Sequence, residues 1–265
     1  MTEDPLLRID GVCVSFGGLD VLSDVSIDMP SGVLGVIGPN GAGKTTLFNV
    51  ICGFVRPRQG SITFAGRPLR GHRPHDLADA GIARTLQGLG LFNRLTVLEN
   101  VLAGTTHRSR TGPVGALLAS PWAQRSEGRL RGDALEVMAS LGIADDANRM
   151  VASLPYGGRK RVALARALVA QPRLLMLDEP AAGLSAPEMS EVADIIRGLR
   201  GRTAVMLVEH NMDFVMDLCD SLVVLDFGQV IARGTPTEVR NDPAVQRAYL
   251  GEAVDDTAPV GGDHA

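Results

Sequence analysis

Nine consecutive residues, Gly38 to Thr46, read GPNGAGKTT and fit the spacing G-x-x-x-x-G-K-[ST], with Gly38, Gly43, Lys44 and Thr45 in the fixed places. That spacing serves the cradling of phosphate. Gly38, Gly41 and Gly43 allow backbone turns that a Cβ forbids and bring N–H groups close to phosphate oxygens. The candidate phosphate-binding residues are therefore Gly38, Pro39, Asn40, Gly41, Ala42, Gly43, Lys44, Thr45 and Thr46. The chain has 26 Lys plus Arg, yet only two are lysines, Lys44 and Lys160. A chain that uses arginine almost everywhere keeps lysine in this loop, where a compact ammonium reaches the β- and γ-phosphates and a planar guanidinium is too wide.

A second cluster spans Leu154 to Pro180, LPYGGRKRVALARALVAQPRLLMLDEP. Gly157 and Gly158 are expected to form a turn in front of a helix from about Lys160 to Ala170. That turn, with Tyr156 beside it, aims a helix N-terminus at an anion. An apolar strand, LLML, then carries Asp178 and Glu179 at its C-terminal end. Two adjacent carboxylates in a chain with a phosphate loop suit a division of labour: Asp178 holds Mg2+ through water and Glu179 polarises an attacking water. Phe16 lies 28 residues before Lys44, at the turn between two expected strands. It either stacks on an adenine ring, a contact that needs no base code, or simply packs. His72 and His75 have no third ligand near them and read as part of a solvated loop.

The elements that must position these groups follow from periodicity. Leu6 to Ser15 and Val21 to Met29 alternate and are rich in β-branched residues, which predicts two antiparallel strands, with a third at Gly60 to Gly66. Val33 to Ile37 is a short apolar run suited to a buried parallel strand, and TTLFNVIC after the loop suits a helix whose positive end faces the phosphates. A helix over Asp76 to Ala80 and a strand over Ile82 to Leu86 deliver Gln87. Leu89, Leu91 and Phe92 then fall in a loop, folded under it or left for a partner. From Thr96 to about Leu154 the pattern is helical, clearest over Arg129 to Leu141, with Gly112 to Trp122 a flexible or short helical connection. Further on, TAVMLV is a buried strand that ends before His210, NMDFVMDLC a helix, and Asp226 to Gln229 a hairpin turn. Thr235, Pro236 and Glu238 make a capping box. A last helix runs from Pro243 to Leu250, and disorder is expected from Val254 on.

At 265 residues, 45% hydrophobic and 21% charged, the composition is that of a soluble globular protein with one large core or one core and a smaller lobe. A net charge of −4 argues against nucleic acid as a partner. Cys13, Cys52 and Cys219 have no metal-ligand spacing and read as reduced thiols. No apolar run reaches the ~18 residues that a bilayer span needs, and the opening MTEDPLLRID does not read as a signal peptide.

GPNGAGKTT, Gln87, LPYGG, LLMLDEP and the His210 of VEHNM occur in the order and spacing of the nucleotide-binding subunits of ABC transporters, which the chain resembles over residues 6 to 251. Within that superfamily RTLQGLGLFNRLTVLENV, LDEPAAGL, VEHNMDFVM and NDPAVQRAYLGE look like the ATPase of branched-chain amino acid importers. The resemblance implies an α/β P-loop NTPase fold, a RecA-like core sheet with an N-terminal antiparallel β-subdomain, plus an inserted helical lobe. Its implied boundaries are 6–86 and 165–251 for the catalytic core, 87–164 for the lobe with the signature turn, and 252–265 for a disordered tail.

By the same resemblance ATP and Mg2+ are the ligands. Lys44 and the loop hold phosphates, Thr45 and Gln87 ligate Mg2+ with Asp178 outside them, Glu179 is the general base, and His210 contacts the γ-phosphate. Tyr156, Gly157 and Gly158 face the ATP of a partner ATPase in a head-to-tail dimer. Implied partners are two membrane permease subunits, seated near Phe92, a second and different ATPase subunit, and indirectly an extracytoplasmic substrate-binding protein. The implied location is peripheral, on the cytoplasmic face of the cell membrane. Cargo is not contacted by such a subunit, so urea or short amides stand beside branched-chain amino acids. A soluble ABC ATPase that remodels a cytosolic assembly and a nucleotide-binding scaffold without turnover are the other classes. Two departures from the usual pattern stand out: Pro155, Tyr156 and Gly158 replace the Ser, first Gly and Gln of LSGGQ, and Ser185 replaces the D-loop Asp. Proline has neither hydroxyl nor N–H to offer a phosphate, and the substitutions predict a heterodimer with two unequal sites.

Overall fold

Alternation of apolar and polar residues organises the amino-terminal strands. In the computed structural model, which describes residues 4–69, 71–85, 89–108 and 121–255, with backbone alone at 106–108, 121–126 and 250–255, the first strands are β1 (Leu7–Phe16), β2 (Leu19–Met29) and β3 (Val33–Ile37). Then come α1 (Lys44–Ile51), β4 (Gln59–Phe64), β5 (Arg67–Pro68), α2 (Leu77–Ala80), β6 (Ile82–Arg84) and α3 (Val97–Leu102). α4 (Pro121–Ser140), α5 (Tyr156–Leu168), β7 (Leu174–Asp178), α6 (Ala186–Gly198) and β8 (Ala204–Val208) follow. The chain closes with α7 (Met212–Leu218), β9 (Ser221–Asp226), β10 (Gln229–Gly234), α8 (Pro236–Arg240) and α9 (Pro243–Asp255).

The chain divides into two compact units, one of Met1–Pro30, Leu34–Gly71 and Val215–Ala265, the other of Ser31–Val33 and His72–Phe214. In the first unit a sheet of order β2-β1-β4-β5 is antiparallel throughout. Leu7 pairs with Met29, Ile9 with Ile27 and Phe16 with Leu19. Alternation turns Leu7 and Ile9 to the inside, and a register shift between Ile9 and Val12 brings Val12 and Val14 inward too, together with Leu22, Val25, Ile27 and Met29. A strict two-residue period would have sent Val12 and Val14 to the other face. The same unit pairs β3 parallel to β9 and β9 antiparallel to β10. α1 buries Leu47, Phe48, Val50 and Ile51, and each such side chain withdrawn from water stabilises the unit by about 2 kcal/mol.

In the second unit β6, β7 and β8 are parallel neighbours, with Ile82 opposite Leu174 and Leu174 opposite Ala204. Every residue of β7 and β8 is buried, the pattern of strands covered on both faces. The helical part of this unit packs Val97 and Val101 of α3, Ala134 and Met138 of α4 and Val162 and Ala165 of α5 into one interior. Thr96 starts α3 by accepting from Glu99 N while the Glu99 carboxylate accepts from Thr96 N at 2.8 Å. Buried Asn100 holds the preceding loop: its Oδ1 accepts from Phe92 N at 2.8 Å and its Nδ2 donates to Phe92 O at 3.1 Å.

The architecture is the expected α/β arrangement, with differences in the extent of individual elements. β1 runs one residue further, through Phe16, because Gly17 and Gly18 take φ of 56° and 90° and close a tight hairpin there. Pro121 and Trp122, assigned from sequence to a connection, begin α4, and residues 112–120 of that connection lie outside the described residues. β6 stops at Arg84, and Leu86 lies outside as well. α9 continues to Asp255, because a glycine such as Gly251 costs a helix only about 1 kcal/mol; residues 256–265 of the expected tail are outside the described residues.

Candidate functional site

The phosphate loop sits in the first unit, between β3 and α1. Gly38 has φ 149°, and a Cβ there would stand 2.0 Å from Leu225 O, so β9 itself excludes every other residue. Pro39 is buried while Asn40, Gly41 and Thr45 are exposed. Ala42 N donates to Pro39 O at 3.2 Å, and Ala42 O accepts from Gly228 N at 3.1 Å. Gly43, left-handed at φ 100°, is the N-cap of α1, and Thr45 and Thr46 fall in the first turn, where the positive end of the helix lies. Lys44 is only 6% exposed, and its ammonium donates to Gly38 O at 2.6 Å and Pro39 O at 2.7 Å. The loop thus folds around a cation held by its own carbonyls. Phe16 ends β1 in the same unit and is 52% exposed, which leaves the ring face open for stacking.

The carboxylates lie in the second unit, where β7 ends. Asp178 is buried, and its Oδ2 accepts from Arg84 Nη2 at 2.8 Å, with side-chain exposures of 10% for Arg84 and 3% for Asp178. Glu179 turns the chain sharply at φ 51°. Its N–H donates to Val208 O at 2.9 Å, which brings the end of β8 alongside. His210 Nε2 lies 3.0 Å from Glu179 Oε1. Beside this pair Glu209, 3% exposed, accepts from Ala181 N at 2.5 Å and His210 N at 3.0 Å. Glu209 is a buried carboxylate at the candidate site that sequence reasoning missed; the available signal was an acidic residue closing a wholly apolar strand. Arg84 was missed as well, its signal being a cation inside a strand otherwise bound for the interior. Gln87 lies outside the described residues. Beyond it, Arg166 of α5 donates to Leu89 O at 3.0 Å and Gly90 O at 2.7 Å, and burial draws its guanidinium pKa down.

The glycines of LPYGG do not form a turn. α5 begins at Tyr156 with Pro155 as N-cap at φ −61°, so Gly157 and Gly158 are already helical. The reason lies in proline, whose fixed φ and missing N–H suit a helix start, and in close packing. An added Cβ at Gly157 would press on the end of the Glu188 side chain, so the bare glycine lets that carboxylate lie close against the helix. Glu188 is itself fixed by Ser185, whose N–H and Oγ donate to Glu188 Oε2 at 2.9 and 2.6 Å. Those bonds lower the Glu188 pKa. Tyr156 remains 42% exposed, with the Lys160 ammonium 5.5 Å from its ring centroid. A cavity of about 110 Å³ separates α5 from the end of β7, lined among others by Tyr156, Lys160, Leu164, Asp178, Glu179 and Val192.

The residues offered for Mg2+, the Thr45 hydroxyl, the Gln87 amide and the Asp178 carboxylate, form an all-oxygen set of the kind that a hard cation takes. Among the described residues no group of three or more His, Cys, Asp or Glu could hold a metal ion. Arg84 occupies Asp178 Oδ2 and so orients the carboxylate.

Residues 22–182 match the family described as ABC transporter, and residues 229–255 match the one described as branched-chain amino acid ATP-binding cassette transporter. The chain is 41% identical to the high-affinity branched-chain amino acid transport ATP-binding protein LivG of Salmonella typhimurium over 254 residues, 95% of this chain and 100% of the relative. It is 38% identical to the corresponding protein BraF of Pseudomonas aeruginosa over 252 residues, 94% and 99% of the two chains. The ADP conformation of MJ1267, an ATP-binding cassette of an ABC transporter, matches at a TM-score of 0.80 and 30% identity, covering 93% of this chain and 98% of that one. Both the phosphate loop after β3 and the carboxylate pair after β7 fall inside the first matched stretch, and the chain belongs to the ATP-binding cassette ATPases of ABC transporters.

Proposed function

We propose that this chain is the ATP-hydrolysing subunit of a membrane importer for branched-chain amino acids, working at the cytoplasmic face of the membrane. The observation that carries the catalytic part is the Glu179 carboxylate, bent out of the strand end and 3.0 Å from His210. Cargo rests on the match at residues 229–255 and on the names of the relatives. Among the described residues no helix is long and apolar enough to cross a membrane, so on this reading two permease subunits supply the pathway. The half-exposed Phe92, whose backbone Asn100 clamps at both N–H and carbonyl, is the proposed seat for them. An extracytoplasmic binding protein would deliver the solute.

On this reading Lys44 and the loop N–H groups hold the β- and γ-phosphates, and Phe16 stacks on the adenine. Thr45 and Gln87 would supply oxygen ligands to Mg2+, with Asp178 outside them. When bound, Mg2+ neutralises charge on the phosphate oxygens. Glu179 accepts the proton of the water that attacks the γ-phosphorus, His210 donates to a γ-phosphate oxygen, and ADP leaves. Tyr156, Gly157 and Gly158 present the positive end of α5 to the nucleotide of a second, different ATPase subunit. Residues 87–164 would move as a helical lobe against a core of 6–86 and 165–251. ATP binding closes the pair, and hydrolysis reopens it.

The test is purification from native membranes of the Glu179→Gln protein with ATP in mild detergent. Recovery of two permeases, a second ATPase and a binding protein supports the importer, and the binding protein can then be titrated with leucine, isoleucine, valine and urea. Recovery of soluble proteins alone would replace it with a remodelling ATPase.

A further inference from the structure

The chain has two lysines, and each closes on a pair of consecutive carbonyl oxygens. Lys44 does so within the phosphate loop. Lys160, in α5, donates to Glu179 O at 3.1 Å and Pro180 O at 2.8 Å. The peptide it grips is under strain: Glu179 has φ 51°, a conformation that a residue with a Cβ holds only where its surroundings impose it. Other contacts on this bend come from within the bend or from the end of β8: Ala182 N donates to Glu179 O at 3.2 Å and Glu179 N to Val208 O at 2.9 Å, while Glu209 takes Ala181 N. Lys160 is the contact that reaches the bend from α5, past the cavity between that helix and the end of β7.

Charge explains why a half-buried ammonium persists there. Desolvation draws its pKa down, and the Glu209 and Glu179 carboxylates offset part of that loss. An ammonium offers three donors, enough to serve two adjacent carbonyls at once. The same side chain lies 5.5 Å from the Tyr156 ring, so it stands between the exposed start of α5 and the backbone of the carboxylate that the mechanism uses.

We propose that Lys160 is a positioning residue for hydrolysis: by gripping the Glu179 and Pro180 carbonyls it keeps the Glu179 carboxylate aimed, and it ties the start of α5 to that carboxylate. Since the start of α5 faces the partner subunit's nucleotide and Glu179 acts on this chain's own, one side chain links the two sites. The inference rests on the ATPase reading above.

The experiment compares wild type, Lys160→Met and Lys160→Arg, each assembled with the second ATPase and the permeases recovered with it, in steady-state ATP hydrolysis, in fluorescent-ATP affinity and in thermal melting. Lys160→Met is expected to lower kcat at least ~tenfold, since a small misplacement of a catalytic group is enough for that, and to leave KM and nucleotide Kd within about twofold. Lys160→Arg, with donors for both carbonyls, is expected to recover most of kcat. An unchanged kcat in Lys160→Met overturns the proposal. So does a fall in kcat that comes with an equal rise in Kd, a lower Tm and no recovery in the Arg variant, because that is loss of helix packing. A wild type that binds ATP without turnover instead strikes down the ATPase reading, and the inference with it.

Discussion

His210 Nε2 and Glu179 Oε1 stand 3.0 Å apart, although 31 residues separate them in sequence. Parallel pairing of β7 with β8 sets Asp178 beside Val208, so each strand delivers its next residues to the same sheet edge. A carboxylate and an imidazole in contact, one 27% and the other 47% exposed, are accessible to water and phosphate yet fixed in place.

Glu179→Gln keeps the shape and removes the base. ATP hydrolysis is expected to fall at least ~100-fold, the usual worth of a positioned base, while ATP affinity persists; His210→Ala is expected to fall similarly. Single-turnover hydrolysis beside a binding titration decides it, and a variant that still turns over at the wild-type rate would remove Glu179 from the role.

Lys44→Arg is expected to raise the Kd for ATP at least ~tenfold, despite conserved charge. The ammonium is buried between Gly38 O and Pro39 O, and a planar fork does not enter that space. Isothermal titration with ATP and with ADP measures the loss.

Arg84→Met leaves the Asp178 carboxylate, 3% exposed, without its cation. Removing one partner of a buried pair costs about 3–5 kcal/mol. A urea midpoint equal to that of wild type would show that the pair contributes nothing to stability.

Gly157→Ala places a methyl against Glu188 Oε1, which can swing away only by giving up its bonds to Ser185. Since alanine favours a helix interior over glycine by about 0.5–1 kcal/mol, the net change in stability is expected to stay within about 1 kcal/mol. Glu188→Ala in the same chain removes the obstacle. A double-mutant cycle with a coupling near zero would refute the contact.

Acid lowers stability in a defined window. Glu99, Glu188 and Glu238 all have pKa values lowered from 4.5 by hydrogen bonds from Thr96, Ser185 and Thr235. A carboxylate with a lower pKa in the folded state stabilises fully above its unfolded value and loses that contribution as pH falls through the folded one. Melting temperature is therefore expected to be level in this respect above pH 4.5 and to drop below it, with a shallower drop when the three residues are Gln.

The motif residues were legible because their spacing is local. Gly38 to Thr46 needs only a strand before it and a helix after it, and both are short apolar segments with obvious limits. Thr235, Pro236 and Glu238 were equally readable, since a capping box is completed within four residues. Gly157 and Gly158 misled, because a glycine pair signals a turn when no neighbour is known, and the neighbour that explains Gly157 is Glu188, 31 positions away.

Sequence alone therefore determined the chemistry on offer: a phosphate loop, a carboxylate pair at a strand end, a histidine after another strand, and the order of α and β elements that carries them. These follow from bonding and periodicity along the chain. Tertiary structure decided which groups meet, namely Arg84 with Asp178, Glu209 with the N–H groups of Ala181 and His210, and Lys160 with the carbonyls of Glu179 and Pro180. Such contacts depend on strand register and on how closely a helix approaches a sheet edge, distances that no local pattern encodes.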